Sequence, residues 1–241
     1  MNEMRKKHRR LFIGFMLTIV VFATMTVLVL TTSWTTNVKM SVFLILLILL
    51  LVATVWFRPR LYFHAMQMSY EKLKEHPHLP IVTKHDLSNR SWLTYLTKRS
   101  FKLFIENESH VVFHRFTQDP KNFVTKNPML EIIILIRESK MDFDNLNITK
   151  TINMLEDDYR VKKVKFTNYS LIQIKYGDPI TDEMQEKVNQ VVFDRQNGSH
   201  ITVINGYYET ETKKLYFLHS KKYVPSLYYK YVVDLFKSIV V

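Results

Sequence analysis

The chain has 241 residues and a formal net charge of +12, with no cysteine and only four glycines. Without cysteine it has no disulfides, thiolate-bound zinc, iron–sulfur clusters or cysteine nucleophiles. Because the glycines are scattered, the sequence also lacks the glycine-rich loops that cradle phosphates, and we predict no bound cofactor and no metal.

The N-terminal quarter of the chain contains two uncharged apolar stretches, residues 11–30 and 40–57. An α-helix needs about 20 apolar residues to cross the roughly 30 Å hydrocarbon core of a bilayer. The connection at residues 31–39 is too short to fold by itself, so the two helices should be antiparallel neighbours. We therefore predict a transmembrane helical hairpin at residues 11–57, anchored in the lipid bilayer of the plasma or inner membrane.

Positive charges flank this hairpin on one side. The connection between the helices has a single cation, Lys39. The basic N-terminus (residues 1–10) and the residues that follow the second helix hold seven: Arg5, Lys6, Lys7, Arg9, Arg10, Arg58 and Arg60. Lys and Arg near helix ends stay on the cytoplasmic side, so we predict a multi-pass protein with both termini in the cytoplasm. These seven side chains are predicted to contact lipid headgroups.

Residues 58–80 form the next segment, which we predict to be a juxtamembrane helix and a linker. Residues 61–75 contain no helix breaker, and the pattern allows two interpretations. The second membrane helix either continues through them or bends at Pro59, and the segment then lies along the membrane surface. Pro77 and Pro80 interrupt the helix and mark the start of a cytoplasmic α+β domain at residues 81–241.

The first half of this domain is read from apolar patterns. Residues 129–136 are almost continuously apolar, which is typical of a central strand buried on both faces. A hairpin at residues 101–106 and 111–117 precedes this strand, after a short helix around residues 92–96. A helix at residues 145–159 follows it, with Asp144 as the predicted N-cap.

The second half continues with shorter elements. Strands are predicted at residues 164–167 and 171–176, and Asp178-Pro179 is predicted to start a helix with Met184, Val188, Val191 and Val192 on its buried side. After Asn197-Gly198 come strands at residues 201–208 and 215–219, with a turn near 209–213 and Asn205-Gly206 as an alternative turn. A helix runs from near Pro225 to residue 240, with Tyr228, Tyr231, Val232, Leu235 and Ile239 predicted to face inward.

The order of elements between residues 129 and 208 is strand, helix, strand, strand, helix, strand. This is the order of the ferredoxin-like split βαβ arrangement. The predicted fold class is therefore a membrane-anchored α+β protein, with a ferredoxin-like core extended by extra strands and a C-terminal helix. The fold by itself implies no function, because it hosts many.

No cluster of residues predicts a catalytic or metal site. His110 and His114 are four residues apart on a predicted strand, which separates them by about 13 Å and prevents them from sharing an ion. The acidic residues at 156–158 are followed by Arg160, Lys162 and Lys163, so we interpret them as a solvated helix end rather than a magnesium site. Asp142 and Asp144 are assigned to a loop and a helix cap.

The basic and aromatic ending of the chain is a candidate binding surface. Lys221, Lys222, Tyr223 and Lys230 combine cations with rings that could stack on bases or rest on lipid headgroups. The competing interpretation is that the tyrosines here pack the final helix on the sheet.

We therefore predict a two-span membrane protein whose cytoplasmic domain binds another macromolecule, a protein in the first instance, without catalysis. A membrane-tethered enzyme that uses Asp, Glu or His chemistry is the first alternative. A domain that binds nucleic acid or anionic lipid is the second, with nucleic acid the less favoured partner. Self-association is left open, and no catalytic residue is identified.

Overall fold

The computed structural model describes residues 2–77, 79–120, 128–166, 168–196 and 199–241. The chain divides into two compact units, Met1–Lys72 and Leu73–Val241. The first unit consists of helices, and the second is an α/β domain built on one sheet.

The first unit is an antiparallel pair of long helices, α1 (Asn2–Thr31) and α2 (Thr36–Glu75), whose last residues belong to the second unit. Near the connection, Lys39 Nζ donates to the carbonyl of Leu30 over 3.1 Å. Towards the opposite ends, the rings of Phe15 and Phe57 lie 5.4 Å apart. Both helices are long and apolar enough to cross a membrane.

Of the two interpretations of residues 61–75, the structure supports the continuous helix, because α2 runs through Pro59 to Glu75 without a break. Proline lacks the N–H that would donate within the helix. Directly after Pro59, the Arg60 guanidinium donates to the carbonyl of Trp56 over 3.2 Å and lies 3.7 Å above its ring.

The second unit is a mixed sheet with helices on both faces. Its strands are β1 (Ile81–Val82), β2 (Lys102–Glu106), β3 (His110–Gln118), β4 (Pro128–Ile136), β5 (Asn168–Gly177), β6 (Val192–Gln196), β7 (Ser199–Glu209) and β8 (Lys214–Phe217). Its helices are α3 (Arg90–Lys98), α4 (Leu146–Val161), α5 (Asp182–Val188) and α6 (Leu227–Val240). The strand order is β1-β8-β7-β5-β4-β3-β2, and β6 pairs with β7 on the edge that β8 also uses.

The predicted ferredoxin-like arrangement is wrong. In a split βαβ unit, another strand separates the two parallel strands that a helix connects, whereas here β4, β5 and β7 are adjacent and parallel. The predicted strand at 164–167 is absent from its described residues, 164–166, and Thr167 lies outside the described residues. Lys163 adopts a left-handed conformation (φ 54°) and Val164 N–H donates to the carbonyl of Tyr159, so this segment closes α4.

Alternate residues of the strands face opposite helices. On one face, His110 and His114 contact α4, and Asn205 donates to carbonyls at the end of α5. On the other face, Glu131 and Gly206 contact α6, and Trp92 of α3 donates its indole N–H to the carbonyl of Ile239 in α6. The sheet is therefore covered on both faces, and β4 is buried at every position except its first residue.

The structure confirms the short helix near residue 92, the hairpin, the central strand and the C-terminal helix. Helix caps differ from the prediction: Asn145 rather than Asp144 caps α4, and Thr181 caps α5, which begins at Asp182 rather than at 178. Of the expected buried stripe of α5, only Val188 is buried. The alternative turn at Asn205-Gly206 is wrong because both residues lie inside β7, and the turn at 197–198 lies outside the described residues.

Candidate functional site

The predicted binding residues at the basic ending lie in the β8–α6 connection and at the start of α6. Lys221, Lys222 and Lys230 are exposed, and Tyr223 is half-buried. Val224 and Leu227, each 45% exposed, lie among them in the sequence. Tyr228 and Tyr229 are buried, so these two tyrosines pack α6 against the sheet.

The seven cations that flank the helical pair are all exposed. They occupy α1 before its apolar stretch and α2 directly after its apolar stretch: Arg5, Lys6, Lys7, Arg9, Arg10, Arg58 and Arg60.

The two histidines of β3 are buried and bind α4. His110 Nε2 lies 3.1 Å from the Thr151 hydroxyl, and Tyr159 Oη lies 2.7 Å from His114 Nδ1. Burial lowers the pKa of both imidazoles below the ordinary value of 6.5, with the nearby Lys102 charge acting in the same direction on His114. Neutral imidazoles held in this way position α4 on the sheet.

A buried carboxylate, Glu131, joins the sheet to α6. It is fully buried, accepts a hydrogen bond from Tyr231, and pairs with Arg115 on the neighbouring strand over 2.5 Å. The Arg115 guanidinium also lies 4.2 Å above the Phe101 ring. Burial first, and then the charge of Glu131, raises the pKa of Tyr231 to about 12. We call these four residues the Glu131 cluster.

A second buried carboxylate, Asp119, lies at the end of β3. The hydroxyl of Tyr228 donates to it over 2.9 Å, and the side-chain amide of Asn168 also donates to it. Asn168 accepts the backbone N–H of His200 over 2.7 Å, and the His200 ring stacks on Tyr228. These contacts connect β3, β5, β7 and α6, which is a structural role.

A cavity of about 250 Å³ opens on the opposite face of the sheet, between the β4–α4 loop and α5. Its floor is formed by strand residues, and its rim by the loop and by the end of α5. The floor consists of Gln173, Val203 and Asn205, and the rim of residues 142–144, Lys187, Gln190 and Val192.

Two carbonyl oxygens of the cavity floor lack a hydrogen-bond donor among the described residues. Gln173 and Asn205 are neighbours across β5 and β7, and each is only 5% exposed. Gln173 Oε1 and Asn205 Oδ1 accept no hydrogen bond from any residue that the structure describes. Asn205 Nδ2 donates to the carbonyls of Lys187 and Gln190 over 3.2 and 3.0 Å, which fixes the orientation of this amide. We call these two residues the amide pair.

Ion pairs hold the rim of the cavity in place. Lys175 is buried and donates to the carbonyls of Ser139 and Met141, which anchors the β4–α4 loop. Asp142 accepts from Lys187 over 3.0 Å, and Lys187 also pairs with Glu183 over 2.7 Å. These hydrogen bonds, that to Glu183 first, raise the pKa of Lys187, so it acts here as a cation rather than as a base or nucleophile.

Sequence reasoning missed the amide pair and Lys187. Gln173 and Lys175 alternate with apolar residues along β5, and such alternation indicates a solvated face. In an adjacent set of parallel strands both faces are covered by helices, so polar residues in such a strand are instead buried. The signal was present, but its interpretation depends on knowing that β4, β5 and β7 are parallel.

Comparisons with protein-family models, with curated proteins and with solved structures find no match to this chain, so its candidate sites are interpreted from its own residues alone.

Proposed function

We propose that this is a two-span membrane protein whose α/β domain binds another protein without catalysing a reaction. The observation that carries the proposal is a set of three exposed apolar residues on the outer side of α4, separated by Lys150 and Asp157, which we call the outer stripe. Leu146, Met154 and Val161 are 74%, 58% and 81% exposed and are spaced by eight and seven residues, about two turns each.

The inward side of α4 is already used, because Ile148, Leu155 and Tyr159 are buried against the sheet. The outer stripe therefore contributes nothing to the core of the domain. Separate apolar residues on one side of a helix can serve as anchors in the groove of a partner protein. The histidines of β3 and the buried carboxylates Glu131 and Asp119 form internal hydrogen bonds, which supports a binding rather than a chemical role for the domain.

Membrane insertion, with both ends of the chain on the cytoplasmic side, is part of this proposal. It is supported by the two apolar helices and by the distribution of flanking cations. Because the chain lacks cysteine, single substitutions provide unique labels. In intact cells, an impermeant maleimide should label Thr35→Cys in the connection but should label Glu211→Cys only after permeabilisation. The reverse pattern would contradict the topology.

The protein-binding proposal is tested by site-specific photo-crosslinking in cells. A photoreactive amino acid is placed at Met154 or Val161, and, as a control, at Val224 on the basic ending. We expect one discrete adduct with a second protein from both α4 positions, and its loss when Leu146→Glu is added. An adduct of the chain with itself, or the same adducts from Val224, would contradict this proposal.

A second candidate function, binding of anionic lipid or nucleic acid, is supported by the exposed cations of the basic ending. Lys221, Lys222 and Lys230 lie near two exposed apolar residues, a composition that suits an anionic surface. Binding of a fluorescent oligonucleotide or of anionic vesicles should weaken steeply with salt and be lost in the triple lysine-to-glutamine variant. Salt-insensitive binding would contradict this function.

The remaining alternative, an enzyme, is supported only by Asp142 and Asp144 at the cavity rim.

A further inference from the structure

We propose that the cavity between the β4–α4 loop and α5 binds a small organic cation that carries N–H donors, a primary ammonium or a guanidinium group. This inference goes beyond the protein-binding function and does not depend on it, because the cavity and the outer stripe of α4 are formed by different residues.

The amide pair carries the argument. A buried carbonyl oxygen without a donor costs on the order of 1–3 kcal/mol. Asn205 cannot relieve this cost by rotating its amide, because its nitrogen already donates to two carbonyls and an oxygen there would face both of them. Gln173 is beside it in the register of β5 and β7, so two acceptors lie together on the floor. A group with several N–H donors satisfies both.

The charges at the rim favour a cation. Asp142 and Asp144 line the cavity together with one ammonium, that of Lys187. Lys187 pairs with Asp142 and Glu183, and the buried Lys175 lies 3.7 Å from Asp142, so two ammonium groups face the three carboxylates of Asp142, Glu183 and Asp144. Asp144 is exposed at the rim and forms no ion pair with a described residue, so a negative charge remains for the ligand.

The size of the cavity limits the ligand. Its volume of about 250 Å³ equals roughly eight water molecules at about 30 Å³ each. This is below the usual range for drug-sized ligands. Phe143, Val192 and Val203 supply apolar contact for a short alkyl chain between the polar groups. A chain of a few carbons with a terminal ammonium or guanidinium fits these limits.

The test is calorimetric titration of the full chain in nanodiscs with three probes that separate charge from donors. 1,4-Diaminobutane has both, 1,4-butanediol has donors without charge, and tetramethylammonium has charge without donors. We expect the diamine to bind most tightly. Equal binding of the diol would overturn the assignment to a cation, and equal binding of tetramethylammonium would overturn the role of the amide pair. Absence of saturable binding by all three would mean that water alone fills the cavity, which would overturn the proposal.

Variants locate the binding. Gln173→Met keeps the length of the side chain but removes the acceptor, and should weaken diamine binding about tenfold. Asp144→Asn should reduce the preference for the diamine over the diol. Glu211→Gln, in the exposed β7–β8 turn outside the cavity, should change neither the affinity for the diamine nor its preference over the diol. Diamine affinity that is unaltered by Gln173→Met, in a variant with wild-type hydrogen exchange in β4, would overturn the site.

A lysine side chain of a partner protein could supply the same ammonium group. Nα-acetyl-lysine methylamide therefore serves as a fourth probe that is larger than the diamine. Weaker binding of this blocked lysine supports a free small molecule as the ligand. Tighter binding would overturn the assignment to a small molecule.

Discussion

Two buried polar clusters on opposite faces of the sheet differ in how their polar atoms are satisfied. On the α6 face, the Glu131 cluster surrounds a carboxylate with a guanidinium, a phenol and an aromatic ring. On the α5 face, the amide pair is buried to a similar extent, but its oxygens accept no hydrogen bond from the described residues and lie at a cavity. Similar burial therefore has two different consequences. A cluster whose polar atoms are all paired stabilises the fold, whereas a cluster with unpaired acceptors at a cavity provides a place for a ligand.

The largest expected effect comes from opening the closed cluster. Arg115→Met keeps an apolar side chain over Phe101 but leaves the Glu131 carboxylate without its cation. Removing one partner of a buried ion pair costs about 3–5 kcal/mol. Because Arg115 is partly exposed, we expect the unfolding free energy to decrease by about 3 kcal/mol. Pulse proteolysis of the full chain in detergent across a urea series measures it.

The double variant Arg115→Met/Glu131→Met is the control for this prediction. It removes both charges, and apolar replacement of a buried pair is often close to neutral. The double variant should therefore recover most of the stability lost in Arg115→Met. Equal instability of the two would show that packing, and not the unpaired carboxylate, causes the loss.

The next largest effect is expected at Gly206 of β7, which follows Asn205 in the chain and lies on the opposite face of the sheet. Gly206 faces α6, and a Cβ there would lie 2.6 Å from Phe236 Cζ, inside a fully buried contact. Gly206→Ala should therefore cost about 2 kcal/mol through overpacking. The compensating variant Gly206→Ala/Phe236→Leu should be more stable than the single variant in the same proteolysis assay. No recovery would show that the strain arises elsewhere.

The histidines of β3 predict a pH dependence on the α4 face. Burial lowers the pKa of His110 and His114 in the folded state, so protons bind the unfolded state more tightly. The contribution of these two histidines to the unfolding free energy should be complete above pH 6.5. It should be lost as the pH falls from 6.5 towards their folded-state pKa values. His114→Gln should show a shallower slope in urea titrations from pH 7.5 to 5. An unchanged slope would mean that other groups cause the dependence.

The smallest effect is expected at the amide pair. Gln173 Oε1 makes no hydrogen bond with a described residue, so Gln173→Met removes the cost of an unmatched oxygen and should raise the unfolding free energy by about 1 kcal/mol. Asn205→Leu, in contrast, removes donors to two carbonyls and should cost about 1–2 kcal/mol. A decrease of about 3 kcal/mol in the unfolding free energy of Gln173→Met would show that Gln173 stabilises the fold, as Glu131 does.

Strong local patterns in the sequence predict much of this architecture. The apolar run of β4 and the periodicity of α6 each identify their element, because burial on both faces or on one side leaves a direct pattern. The sheet order was not predictable in this way. The strand after α4 either pairs directly with β4 or is separated from it by another strand, and contacts distant in sequence decide between the two. In addition, the turn at Lys163 and Val164 that closes α4 resembles a short strand in the sequence.

The candidate cavity was harder to predict than the fold. Asn205 precedes Gly206, and Asn-Gly is a turn signal, yet both are held inside β7 by pairing with β5 and β8. Asp142 and Asp144 lie in a loop, and nothing in their spacing indicates Gln173 or Lys187 as neighbours. The site depends on two crossover connections, and a local pattern carries no information about which residues they bring together.

The Glu131 cluster also sets an order of events during synthesis. Arg115 precedes Glu131 in the chain, but Tyr231 follows it by 100 residues. At about 5–20 residues per second, the ribosome needs roughly 5 to 20 s to reach Tyr231 after adding Glu131. During that interval the nascent sheet lacks α6, and the carboxylate has only its guanidinium partner. An incomplete domain exposes apolar surface of the kind that chaperones bind, and a pause in translation between β8 and α6 would prolong this exposure.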